Sequence, residues 1–339
     1  MAQTTITRCR IEINGDRRLT VQKGKSLLTT LADHQVFLPT ACGGRGFCGL
    51  CKVKVLSGGG PVTEQETKRL KEALDEGFRL ACQIQVQDDL AIEVPPEVPA
   101  KGQIRAVCST IEDMTYDVKR FRFELQAPPE LDFVPGQYVR LRCPPYPDSP
   151  EEIAREYSIA SDPTERHILD LIIRRMPKGT CTTYCFDHLK AGDEVRLSGP
   201  FGDFRLSKTD APMIFVAGGS GMAPFVSILH HMVSTGNHRP TTYFFGGKWI
   251  KDLYLLDALR RFEQRLPAFR FVPVVAQVCN GESWTGQTGL VTEAVKRTFS
   301  NLTGYEGYLC GSPGMIEASI QVLTDLGIPH DKIYYDKFA

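Results

Sequence analysis

The sequence predicts an α+β multidomain chain in which a small mixed unit, an all-β barrel and a parallel α/β sheet follow one another. Three observations carry this. A single loop near the N-terminus is crowded with cysteine and glycine, short strand-like runs between Pro, Gly and Asp turns fill residues 103–207, and strand and helix candidates alternate after 208. At 339 residues the chain is too long for one average core. It is 42% hydrophobic and 24% charged, as globular chains are. Its forty basic and forty acidic residues cancel, which argues against a nucleic-acid binder.

The first unit, 1–95, opens with apolar residues at Ile6, Ile11 and Ile13, the alternation of a strand and hairpin. A short helix is expected at Ser26–His34, and a strand at Lys52–Leu56 after the Gly/Cys loop. Thr63 and Glu66 have the spacing of a capping box and start a charged surface helix that stops near Gly77. The stretch 95–102 holds three prolines and has no period, so 96–102 reads as a linker.

Residues 103–207 carry strand-like runs at Val118–Leu125, Gln137–Cys143, His167–Arg174 and Glu194–Ser198, with one helix at Thr182–His188. Together they suggest an antiparallel β-barrel. Between 208 and 339, strands are expected at Met213–Val216, Thr242–Phe245, Arg270–Val275, Tyr308–Cys310 and Lys332–Tyr335. Helices are expected at Ala223–Val233, Asp252–Arg265, Leu290–Phe299 and Met315–Leu326, which implies a parallel sheet. The most apolar stretch, Pro212–Val233, contains Gly218, Gly219, Gly221, Pro224, His230 and His231, so it reads as strand, turn and helix rather than a membrane span. The polar N-terminus has no signal-peptide core, and a soluble, cytoplasmic protein is expected.

Of eleven cysteines, Cys42, Cys48 and Cys51 lie in one loop with spacing C-x5-C-x2-C, and Cys82 follows. Gly43, Gly44, Gly46 and Gly49 share the loop. Residues without side chains let backbone N–H groups close over the negatively charged sulfides of a cluster. One C-x2-C knuckle is too few for the usual structural zinc site. The four cysteines are therefore the expected metal ligands. The first gap is one residue longer than the plant-type spacing. It resembles vertebrate-type ferredoxins and the ferredoxin domain of bacterial sodium-pumping NADH:quinone reductases, which implies a β-grasp [2Fe-2S] ferredoxin domain. Cys9, Cys108, Cys143, Cys181, Cys185 and Cys279 are expected to be core or surface thiols. Cys181 and Cys185 have the i, i+4 spacing of paired ligands on a helix, but no further ligands cluster nearby, and a metal site there is rejected.

Arg155-Glu156-Tyr157-Ser158 resembles the R-x-Y-S signature of the ferredoxin–NADP reductase family. The resemblance implies that Arg155 pairs with a pyrophosphate oxygen, Tyr157 stacks on the isoalloxazine of FAD, and Ser158 hydrogen-bonds flavin N5. Gly179-Thr180-Cys181-Thr182 resembles the family's second phosphate segment, which opens a helix, and Ile173 and Arg174 precede it on a strand. Relatives more often carry Ser where Thr182 stands. Gly199-Pro200-Phe201-Gly202 closes the flavin domain as in relatives.

Gly218-Gly219-Ser220-Gly221-Met222-Ala223-Pro224 stands at a strand-to-helix junction, where nucleotide phosphates bind, with Pro224 in place of the third fingerprint glycine. Cys310-Gly311-Ser312-Pro313 resembles the family's C-G-x-P segment, which puts a thiol near nicotinamide C4, and Phe338 lies where relatives place an aromatic over the flavin. Ser158, Cys310 and Phe338 are thus the expected catalytic residues. Tyr334 and Tyr335 read as strand and packing residues. Asp252 could accept from a ribose hydroxyl and repel a 2′-phosphate, which favours NADH, whereas Lys248 points the other way; either could instead be a solvent-facing helix charge.

The order of ferredoxin, FAD and NAD domains resembles the reductase components of bacterial multicomponent oxygenases such as benzoate dioxygenase, phenol hydroxylase and methane monooxygenase. It also resembles the soluble part of the sodium-pumping quinone reductase's flavin-bearing chain, whose N-terminal anchor is not seen in this sequence. Both imply transfer from NADH to FAD to the cluster, two electrons in and one at a time out. The expected acceptor is an oxygenase component docking around Arg45 and Phe47 of a monomer, with no nucleic acid and no membrane span. A quinone or membrane-complex acceptor, and reductive activation of a corrinoid or radical enzyme, are the alternatives.

Overall fold

The computed structural model describes residues 8–34, 36, 38, 44, 46, 49–94 and 103–338. They fall into two compact units, one within Met1–Gly102 and one spanning Gln103–Phe338. Ile6, Cys42, Arg45, Phe47, Cys48 and the expected linker lie outside the described residues.

In the first unit, β1 (Arg8–Ile13) and β2 (Arg17–Gln22) form the expected hairpin. Strict alternation turns Cys9, Ile11 and Ile13 inward. Strands β3 (Lys52–Ser57), β4 (Phe78–Leu80) and β5 (Leu90–Glu93) complete a sheet of order β2-β1-β5-β3-β4, with β1 and β5 parallel. Helix α1 (Leu27–Asp33) packs Leu27, Leu28 and Leu31 into the same core and is capped by Ser26, whose side chain accepts the Thr29 N–H. Helix α2 (Glu64–Leu70) begins with the capping box read from Thr63 and Glu66. Its expected surface character fails at one residue. Glu66 is fully buried because it turns inward to meet Arg79.

The second unit starts with six antiparallel strands: β6 (Gln103–Asp113), β7 (Val118–Ala127), β8 (Tyr138–Cys143), β9 (Ile153–Ser158), β10 (Ile168–Arg174) and β11 (Glu194–Phe201). Their order is β10-β7-β6-β11-β8-β9, and a bridge between Ile159 and Leu171 joins the two ends into a barrel. Phe121, Phe123, Leu141, Leu169, Leu171 and Leu197 fill its interior. β6 and β9 were not among the strands expected from sequence. β9 carries only an irregular burial pattern, which period-2 alternation does not reveal. Helix α3 (Thr180–Thr183) starts two residues earlier than expected and runs into a π turn at Tyr184–His188.

The rest is a parallel sheet of order β15-β14-β13-β12-β16-β17, made of β12 (Met213–Gly218), β13 (Thr241–Gly247), β14 (Phe269–Val275), β15 (Gln287–Thr288), β16 (Glu306–Gly311) and β17 (Ile333–Lys337). Helices α4 (Ala223–Thr235) and α5 (Leu256–Arg265) share one core with Phe215, Tyr243, Phe245 and Tyr308. Helices α6 (Val291–Thr298) and α7 (Pro313–Asp325) share another with Ile214, Val216, Phe244 and Leu309. Alternate residues of each strand thus feed opposite cores, which is why these strands are near-continuous apolar runs. The α4 and α5 core extends to Val118, Ala160, Ile172 and Phe204 of the barrel.

Helix α5 begins at Leu256 rather than at Asp252. The Asp252 carboxylate accepts the Trp249 N–H at 2.8 Å and closes a separate 3₁₀ turn, Ile250–Asp252, so it is not a solvent-facing helix charge. Tyr334 packs on the core as expected, but Tyr335 is 42% exposed, since alternation on β17 turns it outward.

Candidate functional site

Cys51 and Cys82 are both buried, at 1% and 7% exposure, and are brought together where β3 meets β4. The Ala81 N–H donates to the Cys51 carbonyl at 2.9 Å, and Gln83 Nε2 lies 3.6 Å from Cys82 Sγ. A Cβ on Gly44 would stand 3.8 Å from that of Cys82, and Gly44 has φ +87°. Gly44 therefore does approach a cysteine, in a conformation that favours glycine. Two buried thiols, one with a glycine packed on it, suit an iron–sulfur cluster.

A buried ion pair supports Cys82. Glu66 accepts from Arg79 Nε at 2.7 Å, from the Leu80 N–H at 3.0 Å and from the Thr63 N–H at 2.8 Å. Arg79 also donates to the carbonyls of Gly60 and Pro61 at 3.1 and 2.9 Å. Burial alone would raise the Glu66 carboxyl, but these donors outweigh it and hold it below its ordinary value.

Arg155, Tyr157 and Ser158 lie along β9, on the edge of the barrel sheet. Arg155 is exposed, and among the described residues its guanidinium donates only to the neighbouring Ala154 carbonyl, at 2.8 Å. Ser158 is 3% exposed, and its hydroxyl has no hydrogen-bond partner among the described residues. A buried hydroxyl left unpaired is costly and calls for a ligand atom. Tyr157 is half-buried against the barrel core. These positions fit a flavin. Thr182 departs from expectation in part: its hydroxyl donates to the Gly179 carbonyl at 2.9 Å and accepts the Met176 N–H at 3.2 Å, so it holds the turn 176–182 in shape from within. Ile173 is a core residue of β10, while Arg174 is exposed and held by Asp117 at 2.7 Å.

In the parallel sheet, chain order reverses between β12 and β16, and ligands bind outside the carboxyl ends of strands at such a switch point. The Gly218–Met222 turn leaves β12 there and Cys310-Gly311 ends β16 beside it. A Cβ on Gly221 would stand 2.2 Å from the Cys310 carbonyl oxygen, so only glycine permits this approach. Met222 and Pro224 are buried at the start of α4. Tyr254 donates to the Gly219 carbonyl at 2.8 Å, and a Cβ on Gly219 would lie 3.4 Å from Arg174 Nη1, so the barrel reaches the nucleotide loop. The Phe338 N–H donates to the Gly311 carbonyl at 2.8 Å, which draws Phe338 to the same place. Lys248 follows β13 and lies over the Trp249 ring, beside the turn that Asp252 caps.

Cys310 is fully buried, and burial pushes its thiol well above the ordinary range. Asp336 pairs with it in register across β16 and β17, and burial pushes that carboxyl up to about 6. Sequence reasoning gave Asp336 no role in the site. Its proximity to Phe338 was the available signal.

One expectation is overturned. Cys143 and Cys181 are not separate thiols but form a disulfide, and Cys185 lies with them so that the three sulfurs are within 4.8 Å of one another. The i, i+4 pair does have a sulfur beside it. Cys143 comes from a distant strand, which spacing along the chain does not reveal.

Three family models match consecutive parts of the chain: the 2Fe-2S iron-sulfur cluster binding domain over 11–87, the oxidoreductase FAD-binding domain over 105–206 and the oxidoreductase NAD-binding domain over 215–321. The chain is 31% identical over 372 positions to a subunit of the Na(+)-translocating NADH-quinone reductase of Neisseria meningitidis, covering 97% of this chain and 91% of that one. The corresponding protein of Methylococcus capsulatus is also 31% identical, with 96% and 90% covered. Among solved structures, the Amycolatopsis cytochrome P450 reductase GcoB is 30% identical with a TM-score of 0.76, covering 97% of this chain and 98% of that one. A ferredoxin reductase in carbazole 1,9a-dioxygenase has the same fold, with 24% identity, a TM-score of 0.74 and 99% and 100% covered. Among the described residues, no helix is long and apolar enough to cross a membrane. The chain belongs to the family of NADH-dependent iron–sulfur flavoprotein reductases, which carry a [2Fe-2S], an FAD-binding and an NAD-binding domain and pass electrons from NADH through the flavin to the cluster and on to an acceptor.

Proposed function

We propose that this protein is the reductase component of an oxygenase system, a cytoplasmic monomer that delivers single electrons to an oxygenase protein. The supporting observation is the end-to-end correspondence with the cytochrome P450 reductase, 97% of one chain against 98% of the other. A second reading, part of an NADH:quinone reductase, is favoured by the 31% identity with the Na(+)-translocating enzymes' chains.

In this reading Cys42, Cys48, Cys51 and Cys82 hold the cluster. Arg155, Gly179, Thr180 and the turn braced by Thr182 hold the flavin diphosphate, with Ile173 and Arg174 beside them. Tyr157 stacks on the ring, and the unpaired Ser158 hydroxyl donates to it. Gly218, Gly219 and Gly221, with Met222 and Pro224 behind them, admit NADH phosphates; Lys248 and Asp252 flank the adenosine end; Cys310, Gly311 and Phe338 border the nicotinamide. FAD supplies the change from a two-electron donor to a one-electron acceptor when bound there. The protein residues orient the two rings and keep water from between them.

An anaerobic stopped-flow titration with NADH, reading flavin bleaching and cluster absorbance together, tests the chain of carriers. Flavin reduction followed by cluster reduction is expected. Flavin reduction without a cluster signal in iron-containing protein defeats the reading. Adding a soluble haem oxygenase or ubiquinone then separates the two acceptors. Reoxidation of the cluster by the quinone alone would favour the second.

A further inference from the structure

The Cys143–Cys181 pair stands between two segments of the flavin seat. Cys143 ends β8 and pairs in register with Ile153 at the start of β9, the strand that carries Arg155, Tyr157 and Ser158. Cys181 lies in α3 between Thr180 and Thr182 of the phosphate turn. Their Cα atoms are 5.9 Å apart, within the usual range for a disulfide. A non-covalent tie runs alongside, for the Tyr146 hydroxyl donates to the Thr180 carbonyl at 2.8 Å.

We propose that Cys143 and Cys181 form a reversible redox site that fastens the flavin phosphate turn to the barrel when oxidised. This rests on the flavin seat described above. In reducing compartments disulfides are rare, and those that occur are commonly transient and redox-sensing, which suits a regulatory role better than a structural one. The oxidant is a small peroxide. One thiolate attacks hydrogen peroxide, the O–O bond breaks, and a sulfenic acid and hydroxide result. The second thiol attacks that sulfur, the S–S bond forms, and the sulfenic oxygen leaves as water. Two protons and two electrons leave the pair and peroxide becomes two waters; a dithiol reductant reverses the change by exchange. Cys143 and Cys181 are buried, at 0% and 2% exposure, as the neighbouring Cys185 and Cys108 are, so it is the placement of β8 against α3 and not burial that selects the pair.

The test uses the full-length flavoprotein, reduced or exposed to hydrogen peroxide, then alkylated under denaturing conditions and digested without reductant. Mass spectrometry is expected to find a Cys143–Cys181 cross-linked peptide only in the oxidised sample, with Cys108 and Cys185 alkylated. FAD release, followed by the fluorescence of free flavin, is expected to be about tenfold slower in the oxidised protein, since a cross-link pre-organises the seat. Cys143→Ala is expected to release FAD at the reduced rate whatever the peroxide dose. If that variant does not fold, the oxidised and reduced wild-type proteins still give the comparison. Alkylation of both cysteines after peroxide, linkage to other partners, or equal FAD release from linked and unlinked protein would overturn the proposal. The peptide map needs no flavin, so failure of the seat itself appears separately, as protein that retains no FAD.

Discussion

Ser158 and Asp336 are polar groups that the fold buries at a cost. The Ser158 hydroxyl has no partner among the described residues, which leaves it open to a ligand atom. Ser158→Ala is expected to leave FAD bound and slow NADH-driven flavin bleaching about 10- to 100-fold, the effect of one lost hydrogen bond to a reacting group. Stopped-flow absorbance reads it. Asp336 is a carboxyl raised from 3.8 to about 6 by burial and, less, by Glu156. A raised acid binds its proton more tightly in the folded state, so it weakens folding as pH rises from 3.8 towards 6, and the full cost applies above that. Asp336→Asn is expected to stabilise the second unit by about 3 kcal/mol at pH 8, since each pH unit of displacement is worth about 1.4 kcal/mol, and to have little effect at pH 4. Melting temperatures at the two pH values check this.

Among the elements, α2 and the turn after β12 make the sharpest demands. The buried Glu66–Arg79 pair joins α2 to the strand leading to Cys82. Glu66→Ala would strand the Arg79 charge and is expected to destabilise the ferredoxin unit by about 3–5 kcal/mol in denaturant unfolding read by cluster absorbance. Because the native carboxyl is held below its ordinary 4.5, its contribution is complete above that value and drains away as pH falls below it. The gap between wild type and variant therefore narrows in acid. At the nucleotide turn, Gly221→Ala would push a methyl against the Cys310 carbonyl from 2.2 Å, against backbone that has nothing flexible to yield. Overpacking of this kind costs about 1–3 kcal/mol, and a raised KM for NADH with unchanged FAD content is expected in steady-state kinetics.

On the scale of the whole molecule, a buried cluster joins the barrel's exit to the nucleotide sheet. Glu306 accepts from Arg239 at 2.8 Å, Ser207 at 2.5 Å, Thr209 at 2.9 Å and Tyr308 at 2.9 Å. With the apolar core shared by Phe204 and α4, this explains why Gln103–Phe338 is one compact unit. A chain cut after Gly102 is expected to leave a folded flavoprotein from 103 onward that NADH still bleaches and that reduces ferricyanide. Its transfer to a one-electron protein acceptor such as cytochrome c is expected to fall by about tenfold or more, since the cluster is the outlet. Loss of flavin reduction in that fragment would show that the N-terminal unit is needed for more than the outlet.

The sequence by itself determined the order of the parts and their chemistry. The strands of the parallel sheet are legible because both faces are buried and apolar runs result; the Thr63–Glu66 cap is legible because it is a local hydrogen-bond pattern. The R-x-Y-S and C-G-x-P segments, and the cysteine spacing, are legible because each is a short run of characteristic residue types. Only the tertiary structure decided which distant residues meet. It buried Glu66 of a charged helix against Arg79, set Asp336 beside Cys310, took Asp252 for a turn cap, and paired Cys143 with Cys181. Each of those outcomes depends on strand register and sheet order, which bring together residues far apart in the chain, and no local spacing encodes that proximity.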